Sequence, residues 1–154
     1  MSFDAGLGVA TMKKVIYLFL SLSVMVFIFG NSMMDAVDSN SESKFLTAFV
    51  QYILALLGFQ VPLAELHHVI RKCAHFTEFA LQSFFVAKTL AAFRVRRQTW
   101  LAYALLIGLL TAVVDENIQL YSIGRSGQVT DILLDFSGTI AGIIMAMLTA
   151  NKRR

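Results

Sequence analysis

Residues 15–31 read VIYLFLSLSVMVFIFGN, 17 residues without a charge, directly after Lys13 and Lys14. A helix that crosses the hydrocarbon core of a bilayer needs ~20 mostly apolar residues, with a usable range of roughly 17–25. Residues 74–93, 99–114 and 132–150 repeat the pattern. A fifth apolar stretch, residues 45–59, spans 15 positions. As a helix it rises ~22 Å, short of the ~30 Å core, with Gln51 near its middle and Gly58 and Pro62 at its end. The expected fold class is all-α: a polytopic membrane bundle of four transmembrane helices, with residues 45–59 as a short interfacial or re-entrant helix on the outer face. The polar, serine-rich residues 33–44 (MMDAVDSNSESK) read as an outer loop.

Composition agrees. Of 154 residues, 57% are hydrophobic and 15% charged, with a mean hydropathy of +0.69, whereas an average soluble chain is ~25% charged. A soluble domain of this size could not bury so much apolar surface. The net charge of +3 is too small and too localised to suggest nucleic acid as a partner. Cys73 is the one cysteine, so the chain holds neither an intrachain disulfide nor a cysteine zinc cluster. A single proline points to long, uninterrupted helices.

Lysine and arginine placement favours four spans over five. With four, Lys13, Lys14, Arg94, Arg96, Arg97, Lys152, Arg153 and Arg154 all face the cytoplasm, as do both termini. A fifth crossing would put the two densest basic clusters outside. The same layout places Asp35, Asp38, Glu42, Glu65, Glu78, Asp115, Glu116, Asp131 and Asp135, nine of the ten acids, on or near the outer face. Acidic residues contribute little to orientation, so this asymmetry points to a functional outer face. The first apolar run is long for a signal peptide, and Gly30-Asn31-Ser32 is a poor cleavage site. An uncleaved first helix is therefore expected. Met12 is an alternative start, so residues 1–11 read either as a leader or as lying upstream of the true start.

Ionisable residues within spanning segments are costly and are functional suspects for that reason. Arg71, His75, Glu78 and Gln82 fall within one stripe of about 60° on a helix, with Lys72 offset toward Phe79. Asp115, Glu116 and Gln119 close the third span. Asp131, Asp135, Gly138 and Gly142 share one face of the fourth. Gly138-x-x-x-Gly142 permits close helix approach, which turns the two aspartates toward the bundle interior. Between the last two spans, Gly124 and Gly127 can bring backbone N–H groups to an anion. Arg125 there can clasp a carboxylate or phosphate. Alone, that segment reads as an ordinary turn.

The ordered set Arg71-Lys72-x-x-His75-x-x-Glu78-Phe79, Asp115-Glu116-x-x-Gln119, Gly124-Arg125-Ser126-Gly127 and Asp131-x-x-x-Asp135-x-x-Gly138-x-x-x-Gly142 resembles the VanZ-like family of bacterial integral membrane proteins. That family is named for a teicoplanin-resistance accessory. The resemblance runs from about Asn31 to Gly142 and departs from the family pattern at Ile123, where proline is usual. It implies a plasma-membrane protein of the cell envelope and lowered sensitivity to glycopeptides, without supplying a reaction. The expected organisation is a cytoplasmic leader over 1–14, a VanZ-like transmembrane domain over 15–150 and a basic cytoplasmic tail over 151–154.

If these groups converge, Glu78, Asp115, Glu116, Asp131 and Asp135 face Arg71, Lys72 and Arg125, leaving a formal charge of −2. Protonation of a carboxyl, a cationic His75 or a bound divalent cation would each relieve it. His75, Glu78, Asp115 and Asp135 are the candidate acid–base residues. Arg71, Lys72, Gln119, Gly124 and Arg125 are the candidate ligand-binding set, and Glu116 and Asp131 complete the pocket. A metal, if one binds, would be held by His75, Glu78, Asp131 and Asp135. His67 and His68 read as part of a separate surface helix with no role. Three function classes stay open: an enzyme acting on a membrane lipid or lipid-linked intermediate, a non-catalytic lipid- or antibiotic-binding or transport protein, and a structural partner in an envelope complex. Transport through so short a chain would require a homo-oligomer.

Overall fold

The computed structural model describes residues 2–34, 36–123 and 127–150, with side chains from 8 onward except those of 36–45 and 150. Five helices follow in order: α1 (Ser2–Met33), α2 (Ala36–Leu56), α3 (Leu63–Ala92), α4 (Arg97–Gln119) and α5 (Val129–Ala150). No strand occurs among the described residues. Three segments are long and apolar enough to cross a membrane: Gly8–Met33, Arg97–Gln119 and Val129–Thr149. Their exposed faces carry Phe19, Val26, Phe27, Leu106, Leu110 and Leu148. An apolar surface of this kind is suited to lipid rather than water.

The second of the four expected spans, residues 74–93, falls on α3 and its C-terminal cap, and α3 is not among those three. α3 carries Glu65, Arg71, Lys72, Glu78 and Lys88 among its apolar residues, and it packs against α1, α2, α4 and α5. It buries Gln82, Ser83 and Thr89 along with Phe79, Val86 and Ala87. Gln82 Nε2 donates to Thr111 Oγ1 at 3.0 Å, joining α3 to α4 through a buried polar contact.

Two local expectations are corrected. Residues 33–44 are not an outer loop, because helix α2 begins at Ala36. The short apolar segment Leu46–Leu56 is the last part of that longer helix. His67 and His68 are not in a separate helix either. α3 starts just after Pro62 and runs unbroken through them to Ala92, so Arg71 and His75 lie well inside it.

The register of contacts fixes the direction of each helix. Gly138 lies against Phe76 and Gly142 against Ala80, so α3 and α5 run parallel. Asn31 of α1 reaches Glu78, and Lys14 lies 5.5 Å from the Phe93 ring centroid, so α1 is antiparallel to α3. α4 is antiparallel to α3 as well, with His75 near Asp115 and Gln82 bonded to Thr111. At one end of this arrangement Val86, Ala87, Trp100, Ala104, Ile143 and Ala146 form the largest apolar cluster. The polar residues gather at the other.

Two helices end in the same backbone arrangement. After α2, Phe59 N–H donates to Leu54 O and Gly58 N–H to Ala55 O, with Gly58 at φ 85°. After α3, Val95 N–H donates to Leu90 O and Arg94 N–H to Ala91 O, with Arg94 at φ 59°. This termination needs a residue in the left-handed region, which glycine adopts without steric cost. Arg94→Gly is therefore expected to stabilise the protein by ~1 kcal/mol, read as a higher midpoint of thermal unfolding in detergent. A lowered midpoint would mean that the arginine side chain contributes more than its backbone conformation costs.

Candidate functional site

The site lies where α3, the last turns of α4 and the first turns of α5 meet. Helical spacing on α3 carries His68, Arg71, Lys72 and His75 to one side, at i, i+3, i+4 and i+7. α5 is held close to α3 because Gly138 and Gly142 present no Cβ. A Cβ at either position would run into the carbonyl oxygen of Phe76 or Ala80. That close approach carries Asp131 and Asp135, two turns and one turn earlier on the same face, to the level of Lys72 and His75.

Each acid has a distinct environment. Asp115 is fully buried and accepts hydrogen bonds from Ser32 Oγ of α1 and from Gln119 Nε2 at 2.9 Å. Glu116 is buried and accepts the Gln128 backbone N–H at 2.9 Å, which ties the approach to α5 onto the end of α4. Asp131 is paired with Lys72 Nζ. Glu78 accepts from Asn31 Nδ2 at 3.1 Å. Asp135 differs from all of these. It is 1% exposed, and neither of its carboxylate oxygens has a hydrogen-bond partner.

His75 stands between two of these acids. Its Nδ1 is 3.8 Å from Asp135 Oδ1 and 3.9 Å from Asp115 Oδ2, both beyond hydrogen-bond length. These three residues offer ligand atoms that all lie within 4.8 Å of one another. Beside them opens a cavity of about 80 Å³ lined by Arg71, Lys72, His75, Glu116, Gln119, Asp131 and Asp135 together with His68, Gln128 and Leu134. A water needs on the order of 10–15 Å³ by this measure, so the cavity has room for several waters or a small polar group.

The family model described as VanZ/LLP1 matches residues 17–150. The chain belongs to this family. No curated protein and no solved structure matches it. The VanZ/LLP1 match covers all of α2, α3, α4 and α5, and so takes in every residue of the cavity.

Among the residues expected from the sequence, this VanZ/LLP1 chain brings Arg71, Lys72, His75, Glu116, Gln119, Asp131 and Asp135 around one cavity, with Asp115 directly behind His75. Gly124 and Arg125 lie outside the described residues. Glu78 is turned toward α1 rather than into the cavity. The expected metal set of His75, Glu78, Asp131 and Asp135 is therefore not the group that converges. Asp115 takes the place of Glu78, and Asp131 is engaged by Lys72. Sequence reasoning missed His68, Gln128, Asn31 and Ser32. His68 was legible, because it stands seven residues before His75 and shares its stripe once α3 is recognised as one helix. Gln128 contributes through its main chain, which leaves no sequence signal.

Proposed function

We propose that this protein spans the bacterial plasma membrane four times, with both termini in the cytoplasm, and that its cavity opens at the outer rim to receive the polar head of an envelope lipid or lipid-linked intermediate. There it carries out proton-transfer chemistry on that head group, and the altered envelope is less sensitive to glycopeptides. The alternating directions of α1, α3, α4 and α5 support the four crossings, since an up-down-up-down order puts both termini on one side. The basic residues at 13–14, 94–97 and 152–154 then fall on the cytoplasmic side.

The observation that carries the functional reading is Asp135: an acid buried without a hydrogen bond, facing His75, in a cavity that also contains Arg71. A guanidinium is suited to gripping a phosphate, and a histidine beside a carboxylate is suited to moving a proton at a reacting oxygen. Lys72 is held by Asp131, and Glu116 supports the loop that leads into α5, so these two residues position the cavity wall.

The test is turnover. Full-length protein purified in detergent is mixed with an envelope lipid extract, and the lipids are followed by mass spectrometry. A new head-group species is expected with the native sequence. Saturable lipid binding without any product would overturn the enzymatic reading and leave a binding protein.

A further inference from the structure

We infer that His75, Asp115 and Asp135 are the ligand set of a divalent transition-metal cation of the Zn²⁺ or Mn²⁺ class. The inference rests on the proposed head-group site for its purpose, but the binding described below needs no lipid. Nδ1 of His75 lies 3.8 Å from Asp135 Oδ1 and 3.9 Å from Asp115 Oδ2, and the ligand atoms of the three residues all lie within 4.8 Å of one another. They are too distant to hydrogen-bond to one another. Ligands around a tetrahedral ion at ordinary metal–nitrogen and metal–oxygen lengths stand roughly 3.4 Å apart, so a bound ion would shorten each of the two histidine edges by about half an ångström.

Asp135 supplies the second, independent observation. A carboxylate almost completely buried with both oxygens unbonded is an expensive arrangement unless a cation supplies the missing partner. Two carboxylates and a neutral imidazole carry a charge of −2, which a divalent ion neutralises. Asp115 is held in place for this task by Ser32 and Gln119, the kind of outer-shell support that orients a metal ligand.

The donor set also selects the ion. Ca²⁺ takes six to eight oxygens, and Mg²⁺ takes a near-ideal octahedron of oxygens, whereas an imidazole nitrogen with carboxylates suits Zn²⁺, Mn²⁺ and their neighbours. Three protein ligands leave a further coordination position. The adjoining cavity of about 80 Å³ can fill it with water or with an oxygen of a head group. Such an open position is typical of catalytic rather than structural metal centres.

The experiment uses full-length protein in detergent, stripped with a chelator and titrated with ZnCl₂ or MnCl₂ by calorimetry and with CoCl₂ by visible absorption. One equivalent is expected to bind, with Co²⁺ giving the spectrum of a low-coordinate nitrogen–oxygen site. Asp135→Asn and His75→Gln should each weaken binding about a hundredfold or more, while Glu65→Gln should bind as the native protein does. The two variants guard against misfolding, because either one that remains monodisperse on gel filtration decides the question. Absence of stoichiometric binding, or equal affinity in the native protein and a folded variant, would overturn the inference. One equivalent of ion with no lipid product would remove the head-group chemistry and keep the metal site. Lipid turnover in stripped protein that binds no ion would do the reverse.

Discussion

Gly142→Leu is expected to abolish the native packing of the bundle. The Cβ it introduces meets the carbonyl oxygen and carbon of Ala80 on α3, and these are backbone atoms of a helix that cannot rotate out of the way. Overpacking a core with a movable side chain costs typically 1–3 kcal/mol. Here α5 as a whole would have to retreat from α3, along the most extensive helix pair in the protein, so the loss should exceed that range. The variant should give little monodisperse protein after solubilisation. Gly30→Ala is the control, since a Cβ at Gly30 meets nothing within 4 Å and the protein should be recovered at native yield. Equal recovery of both variants would show that α3 and α5 need not touch at Gly142.

His75→Ala should do the opposite and separate chemistry from architecture. His75 lines a cavity rather than filling the apolar core, so its removal enlarges a polar space and leaves the Gly138–Phe76 and Gly142–Ala80 contacts untouched. Thermal unfolding should move by only a few degrees, while the rate of the proposed head-group reaction falls by ~10²–10⁴, the usual contribution of a positioned acid or base. The two readouts are compared on one preparation. If stability and rate fall together and recover with any residue that packs, His75 is holding helices in register and the cavity has no chemistry of its own.

The sequence made some of this visible and hid the rest for identifiable reasons. The face of α5 that turns inward was legible, because Asp131, Asp135, Gly138 and Gly142 return to one side and small residues mark where helices meet. The gathering of Arg71, Lys72 and His75 with acids from α4 and α5 was legible from shared depth. The extent of α3 was not. Residues 63–73 are polar enough to read as lying outside a span, and with only Leu66 of them buried nothing in their spacing marks them as the first turns of the same helix. The first half of α2 was hidden for a related reason, since a serine-rich stretch has weak helical propensity of its own. Glu78 was misplaced because helical periodicity gives a stripe of about 60° and no more. Within that stripe, the Asn31 amide of α1 engages Glu78 while His75 faces the cavity, a choice made by a partner distant in the chain.

His75, Asp115 and Asp135 belong to three different helices, and this has a bearing on how the protein is made. While the ribosome is still elongating the chain, His75 emerges well before Asp135, and the last helix completes the constellation by docking. The proposed centre is therefore complete only once the final segment has been laid beside α3.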